Sequence, residues 1–401
     1  MEIKLTFLGD VMCDYNMSRT LEMYRHDGKY NFDDVFIHVK SLLNKSDYVM
    51  ANLETPISKD DSKLTNAMWE FCSPFEFAES IKNSGVDFVS TCNNHCLDRG
   101  VEGAFETIDC LDSINIDHTG LFRNQDERTP LIVKVKNRKI GIMAYTYGTN
   151  AVSNKKYTGF KRRKIVNLLQ EQEGAIDLYD PIGRYANRHP NSIIFKIRRK
   201  VFSLIWPDNV GKEWVEHRTI GVYRRFLIRK DIKYLKKKNV DLTIVYVHVG
   251  GQYNVAPNNY TKYITKWFEK RGVNFIIGNH EHVIHGHEFS KNHKQLTTFA
   301  LGNFIGSAGV IRNPMGRRSE YSIAVHAYIG SNCKINKVTF SVLKTILSEN
   351  GKFEVWPVVD LLNALHGSER ESLYREARLA IKDFLGKSHE MMTDEIVLFE
   401  S

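Results

Sequence analysis

Five short apolar runs in this chain end in side chains that can bind metal ions or move protons. Ile3–Leu8 ends in Gly9-Asp10, and Asp47–Asn52 leads into Leu53-Glu54. Val86–Thr91 leads into Asn93-Asn94-His95, with Asp98 just beyond. Leu242–His248 ends on His248, and Asn274–Gly278 runs on into Asn279-His280-Glu281-His282. In open α/β sheets, ligands sit beyond the carboxyl ends of the parallel strands, so these five ends are the places to look for chemistry. Together they offer two carboxylates, a carboxamide and three imidazoles besides His95. Oxygen and imidazole donors suit one or two divalent ions, with Mn, Fe or Zn expected, better than a thiolate-rich structural site would. A bridging carboxylate can serve a two-metal centre, which activates a water and stabilises both oxygens of an in-line displacement. A single Gly-Asp or Gly-Asn after a strand is ordinarily a turn; five such ends in one chain point to a site.

The elements that must position these residues follow from the pattern between them. Helical periodicity around Phe75–Asn83 and Val101–Leu111 alternates with the first strands, the rhythm of βαβ units and a largely parallel sheet. Leu131–Val135 and Ile140–Tyr145 flank a four-residue polar turn and read as a hairpin. Further along, helix Asp231–Lys238 precedes strand Leu242–His248, and helix Tyr260–Arg271 precedes strand Asn274–Gly278. Short strands near Val283–Phe289, Gln295–Leu301, Tyr321–Ala327 and Lys337–Leu343 look antiparallel and predict a second sheet. Ser368–Leu385 reads as one amphipathic helix. The chain is thus expected to be an α/β core formed by residues 1–150 and 230–360. A basic, partly helical insertion at 151–229 interrupts it, and a helical tail at 361–401 follows it.

Composition narrows the function classes. The 401 residues are 42% hydrophobic and 26% charged, ordinary for a globular protein. The longest uncharged stretches, Leu242–Thr261 and Gln295–Ile311, are interrupted by glycine or polar residues and fall short of the ~20 apolar residues of a spanning helix. The start, MEIKLTFLGD, lacks the apolar core of a signal peptide, which predicts a cytoplasmic protein. Six cysteines form no paired Cys-x-x-Cys pattern and read as thiols. No Gly-x-x-x-x-Gly-Lys-Ser/Thr or Gly-x-Gly-x-x-Gly occurs, so direct use of ATP by such loops is not supported. Ser73, Ser90 and Ser307 sit in no nucleophile elbow. The net charge of +9 is uneven: residues 151–240 carry 22 Lys and Arg against 8 Asp and Glu, a local +14. Such a segment predicts an anionic partner. It has no nucleic-acid-binding module, so nucleic acid is not the partner expected.

The motif series GDVM (Gly9–Met12), NLETP (Asn52–Pro56), NNHCLDRG (Asn93–Gly100), HVGGQY (His248–Tyr253), GNHEHV (Gly278–Val283) and LGNF (Leu301–Phe304) resembles the CapA family of capsule and poly-γ-glutamate synthesis proteins. That family lies within the calcineurin-like metallophosphoesterase superfamily, and the resemblance covers roughly residues 1–310 with the insertion outside it. It implies an α/β/β/α sandwich with metals at the strand ends. It assigns Asp10, Glu54, Asn94, His248, His280 and His282 as metal ligands, with Glu54 where a bridging Asp is usual. It makes His95 the residue that meets the phosphoryl oxygen or leaving group. His248 and His280 would share one ion and His282 would hold the other. Met12 stands where many phosphoesterases have a ligand His, which leaves that second ion to Asp10, Glu54, His282 and water. Asn52, Asn93 and Asp98 are expected to bind substrate or support the ligands; Asn303 either does the same or is a turn residue. His285, His287 and His293 are expected as supporting or surface residues.

The function expected is therefore metal-dependent hydrolysis of a phosphoester or phosphoanhydride in capsule, polyanionic polymer or envelope metabolism. The alternative is a non-hydrolytic accessory that binds a polyanion such as poly-γ-glutamate and supports its synthesis or export. The substrate would be an anionic small molecule or polymer. Ser192–Trp206 places apolar and cationic residues on opposite arcs of a helical wheel. It suits either a helix packed on the core or one that docks residues 151–229 on the inner membrane face or a membrane-bound synthase.

Overall fold

The computed structural model describes residues 2–65, 67–159, 162–172, 189, 191–194, 196–197, 220–390 and 392–401. Its strands, in chain order, begin with β1 (Ile3–Val11), β2 (Tyr48–Leu53), β3 (Phe88–Ser90), β4 (Asp117–Thr119) and β5 (Leu131–Val135). Next come β6 (Arg138–Thr146), β7 (Leu242–His248), β8 (Phe275–Asn279), β9 (Ile284–Phe289) and β10 (Leu296–Leu301). Last are β11 (Asn303–Ile305), β12 (Tyr321–Ile329), β13 (Ile335–Leu347), β14 (Phe353–Pro357) and β15 (Ile396–Glu400). The helices that matter for the site and its frame are α1 (Phe75–Asn83), α2 (Gly100–Ser113), α3 (Val222–Lys237), α4 (Asn259–Glu269) and α5 (Gly367–Leu385).

Two mixed sheets face each other. The first runs β14-β13-β12-β1-β2-β3-β4, with β11 beside β1 and β15 beside β13. The second runs β9-β10-β8-β7-β6-β5. β1 is buried along its whole length, as a central strand covered on both faces must be. Between the sheets, Phe7 and Phe275 meet with ring centroids 5.1 Å apart, and the Tyr246 hydroxyl donates across the gap to the Met50 carbonyl at 2.9 Å. The outer face of the first sheet packs Val49, Ala51 and Val89 against Phe77, Ala78 and Ile81 of α1. The outer face of the second packs Val245, Val247 and Ile276 against Ile228, Ile232, Leu235, Ile264 and Phe268 of α3 and α4. The result is an α/β/β/α sandwich, held by three apolar layers.

The strands after residue 283 do not all form one sheet. β9 and β10 extend the second sheet, whereas β11 to β14 extend the first. The chain changes sheets at Gly302, whose φ of +78° is left-handed and whose absent Cβ would lie 2.6 Å from the Tyr321 carbonyl oxygen. Only glycine fits there without displacing backbone.

The charge-based limits of the insertion also shift. Ile165, Val166, Leu168 and Leu169 are buried in the core, and backbone bonds tie Asn167 to Thr146 and Gly120. Residues 222–229 open α3, whose Ile228 joins the second sheet's outer layer. Of the amphipathic run Ser192–Trp206, residues 195 and 198–206 lie outside the described residues. Gly367–Leu385 is the expected helix, but the chain then adds β15 antiparallel to β13, so the C-terminus is not helical throughout. No helix among the described residues is long and apolar enough to cross a membrane.

One buried ion pair fixes α3 to the sheet that carries His248. Arg128 donates to both carboxylate oxygens of Asp231 at 2.9 and 2.7 Å, and the Tyr145 hydroxyl donates to the same carboxylate at 2.6 Å. Both charged side chains are 6% exposed. Arg128→Ala should therefore lower the unfolding free energy by about 3–5 kcal/mol, because Asp231 is left buried without its countercharge. Urea denaturation checks this; a loss below about 1 kcal/mol would show that the carboxylate is solvated instead.

Candidate metal centre

Both sheets deliver their carboxyl ends to the same place. In the first sheet, Asp10 pairs in register with Asn52 on one side and Asn303 on the other. In the second, His248 pairs with Asn279, and His280 and His282 follow directly. Glu54 comes one residue after β2, anchored by its own N–H donating to the Val11 carbonyl at 2.9 Å. Asn93, Asn94, His95 and Asp98 lie on the turn between β3 and α2. Asp10, Asn52, Glu54, Asn93, Asn94, His95, Asp98, His248, His280, His282 and Asn303 are all buried.

Six of them converge. Asp10 Oδ1 accepts from Asn52 Nδ2 at 2.8 Å, and its Oδ2 accepts the His280 backbone N–H at 3.1 Å. His282 Nδ1 lies 3.4 Å from Asp10 Oδ2, and its Nε2 lies 3.7 Å from Glu54 Oε1. His248 Nε2 lies 3.4 Å from Glu54 Oε1, 3.1 Å from His280 Nδ1 and 2.6 Å from Asn94 Oδ1. Potential ligand atoms fall into two groups, Asp10–Glu54–His282 and Glu54–His248–His280, each spanning no more than 4.8 Å. Glu54 belongs to both.

This cluster is costly without a cation. Both Glu54 carboxylate oxygens and His280 Nε2 are buried and accept or donate no hydrogen bond. The His248 and His282 imidazoles stand 3.4 and 3.7 Å from Glu54 Oε1, but a carboxylate buried with no hydrogen bond still carries a desolvation cost of several kcal/mol. A divalent ion on each side of Glu54 removes that cost, and the oxygen and imidazole donors fit one. The backbone is also held in an uncommon state here: His280 has φ +97° and His282 φ +58°. Non-glycine residues seldom occupy that region, and such strain gathers at functional sites. At His280 it turns the backbone N–H onto Asp10 while the ring lies beside His248.

The electrostatics separate the three imidazoles. Burial, reinforced by the charges of His248, His282 and His95, pushes His280 well below its ordinary value, so it is a neutral lone-pair donor. Burial acts in the same direction on His282, but the Glu54 and Asp10 carboxylates outweigh it and bring the ring to about 9. Burial alone would raise Asp10; its bond with His282 and the nearby imidazole charges hold it down instead. Below pH 9 an ion entering between Asp10, Glu54 and His282 must displace the His282 proton. Affinity for a divalent ion should thus rise with pH up to about 9 and level off above it. Calorimetry with Mn2+ in buffers of different ionisation heat, near neutral pH, should register release of about one proton. A binding enthalpy independent of buffer would contradict the assignment.

His95 stands apart from the ligand groups. Its Nδ1 lies 2.6 Å from Asp98 Oδ2, which leaves Nε2 as the ring atom free to exchange a proton. Asp98 also accepts from the Phe71 backbone N–H at 2.8 Å and from Asn154 Nδ2 at 3.2 Å. The imidazole stacks on the Phe71 ring at 4.0 Å with planes 14° apart. Burial opposes the charged form of His95, but Asp98 prevails and raises it. Asn93 supports the turn, accepting the His95 N–H and donating to the Leu53 carbonyl at 2.6 Å. Asn303 Oδ1 lies 2.9 Å from His282 Nδ1, and its amide donates to the Ser319 carbonyl, so it orients that ring.

Phe71, Asn154 and Glu281 gain places the motifs did not give them. Gly250, in HVGGQY, has φ +128°, and a Cβ there would lie 2.0 Å from Glu281 Oε1. Gly250 therefore lets the His248 loop close over Glu281, whose carboxyl burial pushes up to about 8. His285 Nε2 lies 3.0 Å from the Asn254 carbonyl and His287 Nδ1 3.1 Å from that of Phe384, while His293 stacks on Phe399. None of these three joins either ligand group. Of the five buried thiols, Cys13, Cys92, Cys96 and Cys110 pack in the apolar layers, Cys72 lies near Arg99, and Cys92 Sγ donates to the Asn167 carbonyl. Met12 turns its methyl toward Gly306 rather than supplying a nitrogen to the centre.

Comparison with known proteins places these residues in a family context. The family model described as bacterial capsule synthesis protein PGA_cap matches residues 4–308. The capsule biosynthesis protein CapA of Bacillus anthracis is 21% identical over 328 residues, 80% of this chain. The match spans 64% of that relative's own length, under two thirds. The PGA biosynthesis protein CapA of Bacillus subtilis strain 168 is 20% identical over 373 residues, 89% of this chain and 80% of that protein. Among solved structures, one described as a novel phosphatase from Mycoplasma pneumoniae aligns over 86% of this chain and 94% of its own, at 15% identity and a TM-score of 0.45.

Proposed function

Because this chain belongs to the bacterial capsule synthesis protein family PGA_cap, we propose that it hydrolyses a phosphoester or phosphoanhydride in the metabolism of a capsule or another polyanionic envelope polymer. The observation that carries the proposal is Glu54, a buried carboxylate with no hydrogen bond that belongs to two ligand groups at once. Asp10, Glu54 and His282 would hold one divalent ion; Glu54, His248 and His280 would hold the other, with Asn94 Oδ1 beside His248 as a further donor. Ions so placed supply an activated water and charge stabilisation for an in-line displacement at phosphorus.

The chain's own residues do the rest. Asn52 and Asn303 fix Asp10 and His282 in the orientations that ligation needs. The Asn94 amide nitrogen is buried without a partner and can donate to a phosphoryl oxygen. His95, held at Nδ1 by Asp98, delivers a proton from Nε2 to the departing oxygen or neutralises its growing charge. Asp98 keeps that imidazole oriented and favours its protonated form.

The test is chelation followed by repletion with Mn, Fe or Zn, assayed against phosphomonoesters, phosphodiesters and anhydrides. Turnover should disappear with the metal and return with it. Full metal occupancy without turnover on any of these substrates would overturn hydrolysis. It would favour a non-hydrolytic, polyanion-binding accessory, a reading to which the subtilis relative's name lends support.

A further inference from the structure

Away from the metal centre, the outer surface of α3 and α4 carries a charge pattern that metal-dependent chemistry does not use. Arg229, Lys233 and Lys237 recur every four residues on α3, and Lys262 and Lys266 on α4 do so with Lys270, which caps it. Each of the six is exposed. Residues four apart share one helix face, so each set forms a stripe. The two helices cover the same sheet side by side. The charges of Arg229 and Arg225 add to burial in lowering the Arg271 guanidinium, two residues beyond α4, so the Arg229 end of one stripe lies near the Lys270 end of the other.

Carboxylates are scarce on this surface. Lys266 pairs with Glu269 at 2.7 Å, but among the described residues no carboxylate lies within 4 Å of Arg229, Lys233, Lys237, Lys262 or Lys270. Asp231 is turned inward onto Arg128. Like charges four apart on a helix destabilise it by a few tenths of a kcal/mol per pair, so solvation alone does not favour such stripes. α3 alone is ~24 Å long at 1.5 Å per residue, long enough to make the cationic face a plane rather than a point.

An apolar side chain stands among these cations. Phe226 is 63% exposed and falls on the Arg229–Lys233–Lys237 face of α3. An acidic polymer in water gains little from exposed aliphatic and aromatic groups. A bilayer interface accepts them beside basic residues.

We propose that the α3–α4 face docks on an anionic lipid bilayer, with the lysine and arginine stripes against the headgroups and Phe226 inserted at the interface. This holds whether or not the metal centre is catalytic, since it uses none of its residues.

Co-sedimentation with vesicles of phosphatidylglycerol and phosphatidylcholine tests it. The chain should bind mixed vesicles at low salt, ignore pure phosphatidylcholine, and release when salt shortens the screening length to ~3–5 Å. The variant Lys233→Gln/Lys237→Gln/Lys262→Gln/Lys270→Gln removes four exposed, unpaired charges and should keep its melting temperature. Its vesicle affinity should fall by about 10² or more. Phe226→Ser should cost about tenfold while leaving any binding of polyglutamate unchanged. Absence of vesicle binding, equal binding to neutral vesicles, undiminished binding by the fourfold variant, or binding of polyglutamate alone would each overturn the proposal.

Discussion

Glu54→Ala should cost the protein both metal ions at once, whereas His280→Ala or His248→Ala should cost chiefly one. Glu54 is the single residue common to the two ligand groups. Removing it takes a donor from each ion and also the negative charge that lies between them. Loss of a residue that merely supports a ligand already lowers affinity by about 10–100-fold, and loss of the shared ligand should exceed that at both sites. The fold should survive, because neither Glu54 carboxylate oxygen makes a hydrogen bond that the substitution would break. The metal-free variant loses the Glu54 contact with the His282 imidazole but is spared the desolvation of a buried carboxylate, so its stability should stay close to that of the metal-free parent. Metal analysis after dialysis, together with a melting curve, separates the cases. A Glu54→Ala protein that still retains two ions would remove the shared-ligand assignment.

His95→Ala should leave metal content unchanged and lower turnover by about 10²–10⁴-fold, the range of a positioned general acid. The prediction follows from its separation from both ligand groups and from the Asp98 contact at 2.6 Å. Asp98→Asn should fall between the parent and His95→Ala, since the imidazole stays on Phe71 but loses the carboxylate that favours its charged form. Substrates with good leaving groups, which need little protonation, should be affected least. An unchanged rate in His95→Ala on a poor leaving group would end its assigned role.

The strand ends were readable from sequence because each apolar run is short and stops at a polar residue, and the parallel register then brings those residues together. Asp10, Asn52 and Asn303 fall side by side for that reason, as do His248 and Asn279. What surrounds His95 was not readable in the same way. Phe71 and Asn154 reach Asp98 from 27 and 56 residues away, one on a loop and one at the end of a four-residue helix too short to show a period. The division of the late strands between two sheets depends on one left-handed glycine, Gly302, inside a motif that otherwise looks like a turn. Charge counting set the insertion's limits too wide, because Ile165, Val166, Leu168 and Leu169 sit between basic neighbours yet face the core. β15 is illegible in the sequence for a related reason. Its five residues form a strand only by pairing with β13, some 56–63 residues earlier in the chain.

The central claim is a pair of divalent ions that share Glu54. Anomalous diffraction from crystals loaded with Mn2+ tests it most directly. The account predicts two peaks about 3.5–4 Å apart, one beside Asp10 and His282 and one beside His248 and His280, with the Glu54 carboxylate between them. A single peak, or peaks that leave Glu54 without a metal neighbour, would contradict it.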